Sequence, residues 1–399
     1  MEFDMVDNAA LGTVIKVVGV GGAGGNAVQH MINKGVAGVE FIAANTDAQA
    51  LAASSAHNII QIGDSGLGAG MRPEVGRQLA EQSRARIEDA LRGAHMVFIA
   101  AGMGGGTGTG AAPIVAEVAK SLGALTVAVV SKPFSYEGGK CMEVAETGLN
   151  ELTKHVDSLI VILNEKLEDI YEDESMLDWM KHADDVLNNA VAGIAEIINV
   201  PGHINVDFND VKTIMSEQGK AMMGTATAAG VDRARIAAEQ AVASPLLDGI
   251  DLSGAKGVLV NVTASRGLKG KEIKEVMAAV RAFAAPDAAI AQGIAYDDAM
   301  GDELRVTVVA TGLGKNKANI SLVQPQQVLR TGTYGSPVMG ATSVTPGVAV
   351  GSVAGAPGMD GMKQPAVWRR EQASEQVRAM QNNGVETYDI PAFLRKQAD

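Results

Sequence analysis

The sequence has little cysteine and no excess of basic charge. Its 399 residues include one cysteine, Cys141, so no internal disulfide can form, and no zinc-type spacing of cysteine and histidine occurs. Lysine and arginine total 33 against 46 aspartates and glutamates, which gives a net charge of −13. We therefore expect neither general nucleic-acid binding nor charge-driven attachment to anionic lipid.

Long hydrophobic runs are also missing. No uncharged apolar window reaches about 18 residues, so no membrane-spanning helix is predicted. Glu2, Asp4 and Asp7 stand where a secretory signal would carry basic residues. We expect a cytoplasmic protein, which agrees with the low cysteine content. A chain of this length, with 47% hydrophobic residues, can bury the cores of two domains.

Glycine, in contrast, is abundant and clustered. An apolar run at 96–101 predicts a buried strand, and a helical pattern at 111–122 ends at Gly123. Pro113 fits the first turn of that helix, where its missing N–H costs nothing. The turn between strand and helix points backbone N–H groups and a helix N-terminus outward, which suits a phosphate. This predicted phosphate loop contains Gly102, Gly104, Gly105, Gly106, Thr107, Gly108, Thr109 and Gly110.

Two further glycine-rich turns follow predicted strands. The strand over 13–20 leads into a helix over 27–33, and the turn between them satisfies G-x-G-x-x-G, a weak signal shared with dinucleotide-binding folds. A common P-loop is excluded, because the turn ends in Gly25-Asn26 rather than Gly-Lys-Ser/Thr. The turn contains Gly19, Gly21, Gly22, Ala23, Gly24, Gly25 and Asn26. The third turn, 66–70, precedes a helix that begins at Pro73 and carries Arg77, Arg84 and Arg86.

Polar residues follow two other elements. Asn45, Thr46 and Asp47 end a strand over 39–44, and Asp47 either holds a ribose or caps the next helix. The segment 205–210, which holds Asp207 and Asp210, precedes a short helix over 211–215, and its residue types favour helix caps.

The order of elements predicts an α/β protein. Strands and helices alternate through the first half, which indicates a parallel, doubly wound sheet with its ligand site at the carboxyl ends of the strands. A long helix at 175–200 places Met180, Asp184 and Leu187 on one face, so Asp184 either faces the ligand or is solvated. The second domain is predicted to be a mixed α+β unit.

The last part of the chain changes in composition. Residues 317–384 are rich in Gln, Gly, Pro, Ser, Thr and Val and predict a disordered linker. Residues 385–399 contain Ile390, Phe393 and Leu394 beside basic residues, which favours a peptide that docks on a partner. The predicted divisions are a tail at 1–12, a nucleotide domain at 13–174, the helix at 175–200, the α+β domain at 201–316, the linker and the docking tail.

Taken together, these motifs resemble a known family. The loop at 104–110, the turn at 19–26, Asn45-Thr46-Asp47, the segment 205–210 and the tail at 389–394 are similar to the FtsZ family of tubulin-like bacterial cell-division GTPases. The resemblance implies a tubulin-like fold, binding of GTP, GDP and Mg²⁺, and head-to-tail polymerisation into filaments of the division (Z) ring. It also implies a position at mid-cell, beneath the inner membrane.

The resemblance assigns roles to individual residues. It implies that Asn205, Asp207 and Asp210 enter the nucleotide pocket of the next subunit and act in hydrolysis there. Asn164 and Asp184 would read the guanine, Glu137 would lie at the ribose, and the glycine loops would hold the phosphates. The implied nucleotide set also includes Asn45, Thr46, Asp47, Ala69, Gly70, Pro133, Cys141 and Met180. The tail residues Asp389, Ile390, Pro391, Phe393 and Leu394 would dock tethering proteins such as FtsA and ZipA and regulators such as MinC.

Three departures from the family pattern lie near the expected nucleotide. Met180 stands where an aromatic ring is usual, Cys141 replaces an arginine, and Met71-Arg72 replace small polar residues. Two alternatives to an assembling GTPase therefore stay open. One is a structural filament protein that binds GTP and barely hydrolyses it; the other is a Rossmann-type NAD-dependent enzyme, based on the G-x-G-x-x-G turn.

Overall fold

A computed structural model describes residues 12–199, 206–216, 220–244 and 255–313. Asn205, nearly all of the N-terminal tail, the linker and the docking tail with Asp389, Ile390, Pro391, Phe393 and Leu394 lie outside these residues.

The described residues form one continuous sheet of ten strands. The strand order is β3-β2-β1-β4-β5-β6-β7-β10-β8-β9, and the first six strands are parallel. Strand β10 pairs antiparallel with β7 and β8, and β9 runs parallel to β8. The strands are β1 Ile15–Val20, β2 Glu40–Asn45, β3 Asn58–Gln61, β4 Met96–Gly102, β5 Leu125–Lys132, β6 Ser158–Leu163, β7 Lys220–Ala229, β8 Gly257–Ala264, β9 Ala289–Tyr296 and β10 Glu303–Leu313.

Helices cover both faces of the sheet. For this reason every residue of β1 is buried, and every residue of β4 and β5 except the last of each strand. Helices α1, α8 and α9 share one apolar core, whereas α3 to α6 pack on the opposite face of the parallel half. Helices α10 and α11 cover the antiparallel half. The helices are α1 Gly21–Asn33, α2 Ala48–Ala52, α3 Pro73–Gln82, α4 Arg84–Leu91, α5 Thr107–Ser121, α6 Gly139–Leu152, α7 Asn164–Ile170, α8 Met176–Asn199, α9 Phe208–Met215, α10 Arg233–Val242 and α11 Gly270–Phe283.

This architecture confirms the predicted fold class. The parallel doubly wound half, the long helix and the mixed second half are all present. Helix α8 begins as its sequence predicts, because the Ser175 hydroxyl accepts from the Asp178 N–H at 3.3 Å and donates to the Asp178 carboxylate at 2.6 Å.

Two predicted helix starts were wrong. Helix α1 begins at Gly21 rather than at Ala27, and α5 begins at Thr107 rather than at Ala111. Pro113 therefore lies inside α5 and not in its first turn. The first turns of these helices contain glycine because the helices pack directly on the backbone of the strands. At Gly24, for example, a Cβ would come within 2.2 Å of the Ala100 carbonyl oxygen.

Several other elements differ from the sequence-based assignment. The arginine-bearing helix from Pro73 is two helices, α3 and α4, separated at Ser83. Four elements were not predicted: strands β7 and β9 and helices α6 and α7. In the two strands, alanine, glycine and threonine give little alternation of apolar and polar residues. Both capping hypotheses are confirmed, since Asp47 accepts from the Gln49 N–H at 2.9 Å and Asp207 from the Asp210 N–H at 2.8 Å.

Candidate functional site

A cavity of about 660 Å³ opens at the carboxyl ends of the parallel strands, between the glycine loops and the first turns of α8. Its position agrees with the rule that parallel sheets bind ligands at this edge. The predicted site residues that line it are Gly22, Ala23, Asn26, Gly102, Gly105, Gly106, Thr107, Gly108, Pro133, Glu137, Asn164, Met180 and Asp184.

The glycines at this cavity have two different functions in the structure. At Gly22 and Gly105 a Cβ would meet no atom of a described residue within 4 Å apart from the adjoining chain, so these positions leave room for a ligand. At Gly108, and at Gly110 just outside the cavity, a Cβ would overlap the carbonyl oxygens of Gly102 and Pro73, at 2.4 and 2.1 Å. The first kind of glycine keeps the cavity open, and the second allows α5 to pack against its neighbours.

A second cavity of about 200 Å³ adjoins the first and shares Gly22 and Asn26 with it. Gly21, Gly25 and Asn45 line this second cavity. The two cavities together surround the beginning of α1, whose free N–H groups and positive dipole end favour an anion.

The remaining predicted residues support the loops and line neither cavity. The Thr46 and Thr107 hydroxyls are 2.6 Å apart, and the Thr109 hydroxyl accepts from the Gly104 N–H at 2.9 Å. Asp47 caps α2. The residues that line neither cavity are Gly24, Thr46, Asp47, Ala69, Gly70, Gly104, Thr109, Gly110 and Cys141.

Two polar groups at the other end of the cavity have no hydrogen-bond partner among the described residues. The Asn164 side chain is buried at the start of α7, and its Oδ1 accepts no hydrogen bond. Asp184 lines the cavity one turn after Met180, as the helical pattern predicted. Burial raises the pKa of the Asp184 carboxyl to about 6, with the charge of Asp185 adding to the rise and His30 opposing it. Burying an acceptor or a carboxylate without hydrogen bonds costs free energy, and N–H donors of a ligand would remove that cost.

Aromatic side chains form a wall that sequence reasoning missed. Phe134 lines the cavity and stacks between Tyr136, with ring centroids 5.5 Å apart, and Trp179, at 6.2 Å. Trp179 supports this wall from behind, since its indole N–H donates to the Tyr171 carbonyl at 2.7 Å. The available signal was Phe134 itself, directly after Pro133 at the end of β5. Other lining residues that were missed are Met103, Ser131, Lys132, Met176 and Ala183.

Glu137 is exposed at the rim of the cavity. One of its carboxylate oxygens accepts from the Phe134 N–H at 2.9 Å and so shapes the turn that carries the aromatic wall. No described residue donates a hydrogen bond to the other oxygen.

The acidic residues of α9 lie at the opposite edge of the sheet. The Phe208 ring contacts His95, with centroids 6.3 Å apart, and His95 directly precedes β4, whereas the glycine loop follows the other end of β4. Asp210 borders a separate cavity of about 310 Å³ beside β9. Neither Asp207 nor Asp210 lines the glycine-loop cavity. The structure therefore does not bring the predicted catalytic acids to the predicted nucleotide site within one subunit.

Within the described ranges, no cluster of three or more His, Cys, Asp or Glu side chains is arranged to hold a metal ion. None of the helices in these ranges is sufficiently long and apolar to cross a bilayer.

Comparison with known proteins decides the family. Residues 14–172 match the GTPase domain of the Tubulin/FtsZ family, and residues 219–314 match the FtsZ family C-terminal domain. The chain belongs to the FtsZ family. It is 50% identical to the cell division protein FtsZ of Azotobacter vinelandii over 403 residues, which covers both chains completely. The FtsZ of Pseudomonas aeruginosa is 50% identical over 404 residues, again with complete coverage.

Solved structures agree with this assignment. The empty FtsZ dimer of M. jannaschii has 44% identity and a TM-score of 0.73, and the match covers 75% of this chain and 88% of that one. CetZ2 from Haloferax volcanii, at 20% identity and a TM-score of 0.63, shares the fold. This FtsZ-family chain is a GTPase, and the NAD-dependent alternative is wrong.

An Asp184→Asn variant of this FtsZ-family chain is expected to be more stable than the wild type without nucleotide. The pKa of Asp184 in the folded protein is about 6, above the ordinary value of 3.8. Ionised Asp184 therefore destabilises the folded state above pH 6. This destabilisation disappears as the pH falls toward 4, because the carboxyl becomes protonated. We expect a gain of about 1–2 kcal/mol at pH 8 that shrinks below pH 6. Urea unfolding at pH 8, 7 and 5 measures it.

Asp178→Asn on the same helix is the matched control. Hydrogen bonds from Lys181 and Ser175 lower the pKa of Asp178, so its removal should not stabilise the protein at pH 8. Equal urea midpoints for Asp184→Asn and wild type at pH 8 would contradict the prediction.

Proposed function

We propose that this FtsZ-family protein is an assembly-dependent GTPase that polymerises head to tail into the filaments of the bacterial division ring. The observation that carries the proposal is the separation of the two half-sites. The glycine-loop cavity lies at the N-terminal end of α8, and the acidic residues follow its C-terminal end. A helix of 24 residues is about 36 Å long. A subunit therefore needs a second copy to complete the site.

A guanine nucleotide fits the cavity from end to end. The open positions at Gly22 and Gly105 and the N-termini of α1 and α5 suit the phosphates. The unpartnered Asn164 oxygen and the Asp184 carboxylate suit the N–H groups of guanine, and adenine lacks an N–H at the corresponding ring position. Phe134 and Met180 offer apolar contact to the base, and the free oxygen of Glu137 suits a ribose hydroxyl.

The side chains at the phosphate end also suit Mg²⁺. Asn26, Asn45 and Thr107 supply hard oxygen atoms to the two cavities, and a cation beside them would be held largely by phosphate and water. Bound there, Mg²⁺ would neutralise charge on the phosphates.

Hydrolysis is proposed to use the acids of the neighbouring subunit. Asp207 and Asp210 are exposed at the start of α9, and Asn205 stands two residues before Asp207 in the sequence. When one subunit stacks on the next, their oxygens would reach the nucleotide, orient the attacking water and accept its proton. Asp207 also caps α9, which holds its carboxylate 2.8 Å from the Asp210 backbone nitrogen.

The experiment measures GTP hydrolysis with Mg²⁺ over a range of protein concentrations, with sedimentation in parallel. We expect the rate per subunit to be near zero below a threshold and to rise with pelleted polymer. Polymer without hydrolysis would favour a structural GTP-binding filament, for which Met180 and Cys141 are the relevant substitutions. A concentration-independent rate would contradict a shared site.

We further propose that the C-terminal residues Asp389, Ile390, Pro391, Phe393 and Leu394 dock division proteins such as FtsA, ZipA and MinC beneath the inner membrane at mid-cell. The support is the sequence: apolar side chains beside basic ones at the end of a polar segment.

Phe393→Ala is expected to weaken binding to such a partner about tenfold or more, because a buried aromatic anchor dominates a short docking peptide. GTPase activity should not change. Fluorescence anisotropy with the full chain and purified FtsA or ZipA measures the affinity, and Gln397→Ala is the matched control. Wild-type affinity in Phe393→Ala would remove the tail from the docking surface.

A further inference from the structure

A charged cluster joins the two helices that border the nucleotide cavity. One Asp185 oxygen on α8 lies 2.7 Å from the His30 Nε2 and 2.8 Å from the Lys34 Nζ. His30 is in the last turn of α1, and Lys34 caps the end of the same helix. We name His30, Lys34 and Asp185 the α1–α8 clamp. Its carboxylate is about one third exposed, so solvent only partly screens the cluster.

Each of the clamped helices contributes a different end of the cavity. Helix α1 carries Gly22 and Asn26 at the phosphate end, and α8 carries Met180 and Asp184 at the opposite end. The distance between the two ends therefore depends on how α1 and α8 are held together. The proposed function, on which this argument rests, needs that distance to match a nucleotide.

The clamp also separates two adjacent carboxylates. Asp185 contacts both His30 and Lys34, whereas no donor among the described residues is within hydrogen-bond distance of Asp184. Successive residues on a helix point about 100° apart, so Asp185 can face α1 while Asp184 faces the cavity. Charge-assisted bonds are short and directional, which makes the clamp suited to fixing the rotation of α8 about its axis.

We infer that Asp185 is a positioning residue for nucleotide selection: held by His30 and Lys34, it aims the Asp184 carboxylate at the base while α1 holds the phosphates. Loss of the clamp lets α8 rotate or slide by a few tenths of an ångström. The hydrogen bond from Asp184 to the base weakens first, because hydrogen bonds depend steeply on geometry.

The test compares GDP with IDP, which lacks the 2-amino group of guanine. Affinities of wild type and Asp185→Ala are measured by equilibrium titration at protein concentrations below assembly. We expect GDP binding to weaken about tenfold in Asp185→Ala and IDP binding only about threefold, because IDP has already lost one donor to Asp184. The preference for GDP over IDP is thus reduced.

Charge exchange and a distant variant separate positioning from general damage. The double variant Lys34→Asp with Asp185→Lys should recover much of the preference that Asp185→Ala loses. Glu196→Gln is the matched control on the same helix: Glu196 accepts from Asn261 at 3.2 Å and Thr263 at 3.3 Å, away from the cavity, so both affinities should match wild type. Thermal unfolding confirms that each variant is folded.

The outcomes distinguish the two proposals. Equal weakening of GDP and IDP in Asp185→Ala, or wild-type values for both, overturns the positioning role while leaving the proposed function intact. Failure of the folded wild type to bind either nucleotide overturns the proposed function together with this inference.

Discussion

Asp210→Ala is expected to lower GTP turnover by about 100-fold or more while filaments still form with GTP. The side chain lies exposed at the start of α9, borders the cavity beside β9 and does not line the glycine-loop cavity, so its removal leaves that site and the apolar core unchanged. GTP binding and stacking of subunits should persist, and only the step that needs the neighbour's carboxylate should fail.

Phosphate release, sedimentation and nucleotide affinity, measured on one preparation, check this result. Thr213→Ala is the matched control, because Thr213 borders the same cavity as Asp210 and its hydroxyl donates only to the Asn209 carbonyl within α9. Turnover at the wild-type rate in Asp210→Ala filaments would remove the inserted-carboxylate mechanism. Loss of filaments together with turnover would instead make Asp210 an assembly residue.

Gly22→Val is expected to fold normally and to lose at least about 100-fold in affinity for GTP and GDP. Apart from the adjoining residues and backbone of α1, no described atom lies within 4 Å of the position that its Cβ would take, and Gly22 lines both cavities, so the added methyl groups occupy ligand space. Equilibrium binding, with thermal unfolding of the same samples, measures the two properties separately.

Gly24→Ala is the contrasting variant, two residues further along α1. Its Cβ would come within 2.2 Å of the Ala100 carbonyl oxygen, so we expect a loss of stability above about 4 kcal/mol or no folded protein at all. Tight GDP binding by Gly22→Val would contradict the assignment of the open glycines to the phosphates.

Mixing Asp210→Ala with Gly22→Val tests the shared site directly. The first variant has an intact cavity and the second has intact acids, so a mixture should hydrolyse GTP although each variant alone is inactive. A mixture as inactive as its components would mean that the cavity and the acids act within one subunit.

The sequence predicted the parts of this protein that depend on local patterns. Helix α10, strand β6 and strand β8 have the predicted bounds, and the three glycine-rich turns meet at one edge of the sheet as expected. Met180, Asp184 and Leu187 all line the cavity, because helical spacing fixes which residues share a face. The domain boundaries stay a prediction, since the sheet continues from β6 into β7 without a break.

Other features depended on contacts that no local pattern records. The starts of α1 and α5 were wrong because the glycines serve close packing of helix on strand as well as open space. The aromatic wall at Phe134 depends on Trp179, which is distant in sequence and reaches the wall only once α8 crosses the end of β5.

The sequence by itself predicted the α/β fold class and a phosphate site, because strand-to-helix glycine loops and helical periodicity are set by short-range geometry. The family and the guanine nucleotide followed from the resemblance of its motifs to a known family, and the comparisons show that family. Only the tertiary structure decided that the acids and the nucleotide cavity lie at opposite edges of the sheet. The direction of β4 in the sheet and the length of α8 place the acids and the cavity at those edges, and both depend on the folded structure. That separation makes a second subunit part of the proposed active site.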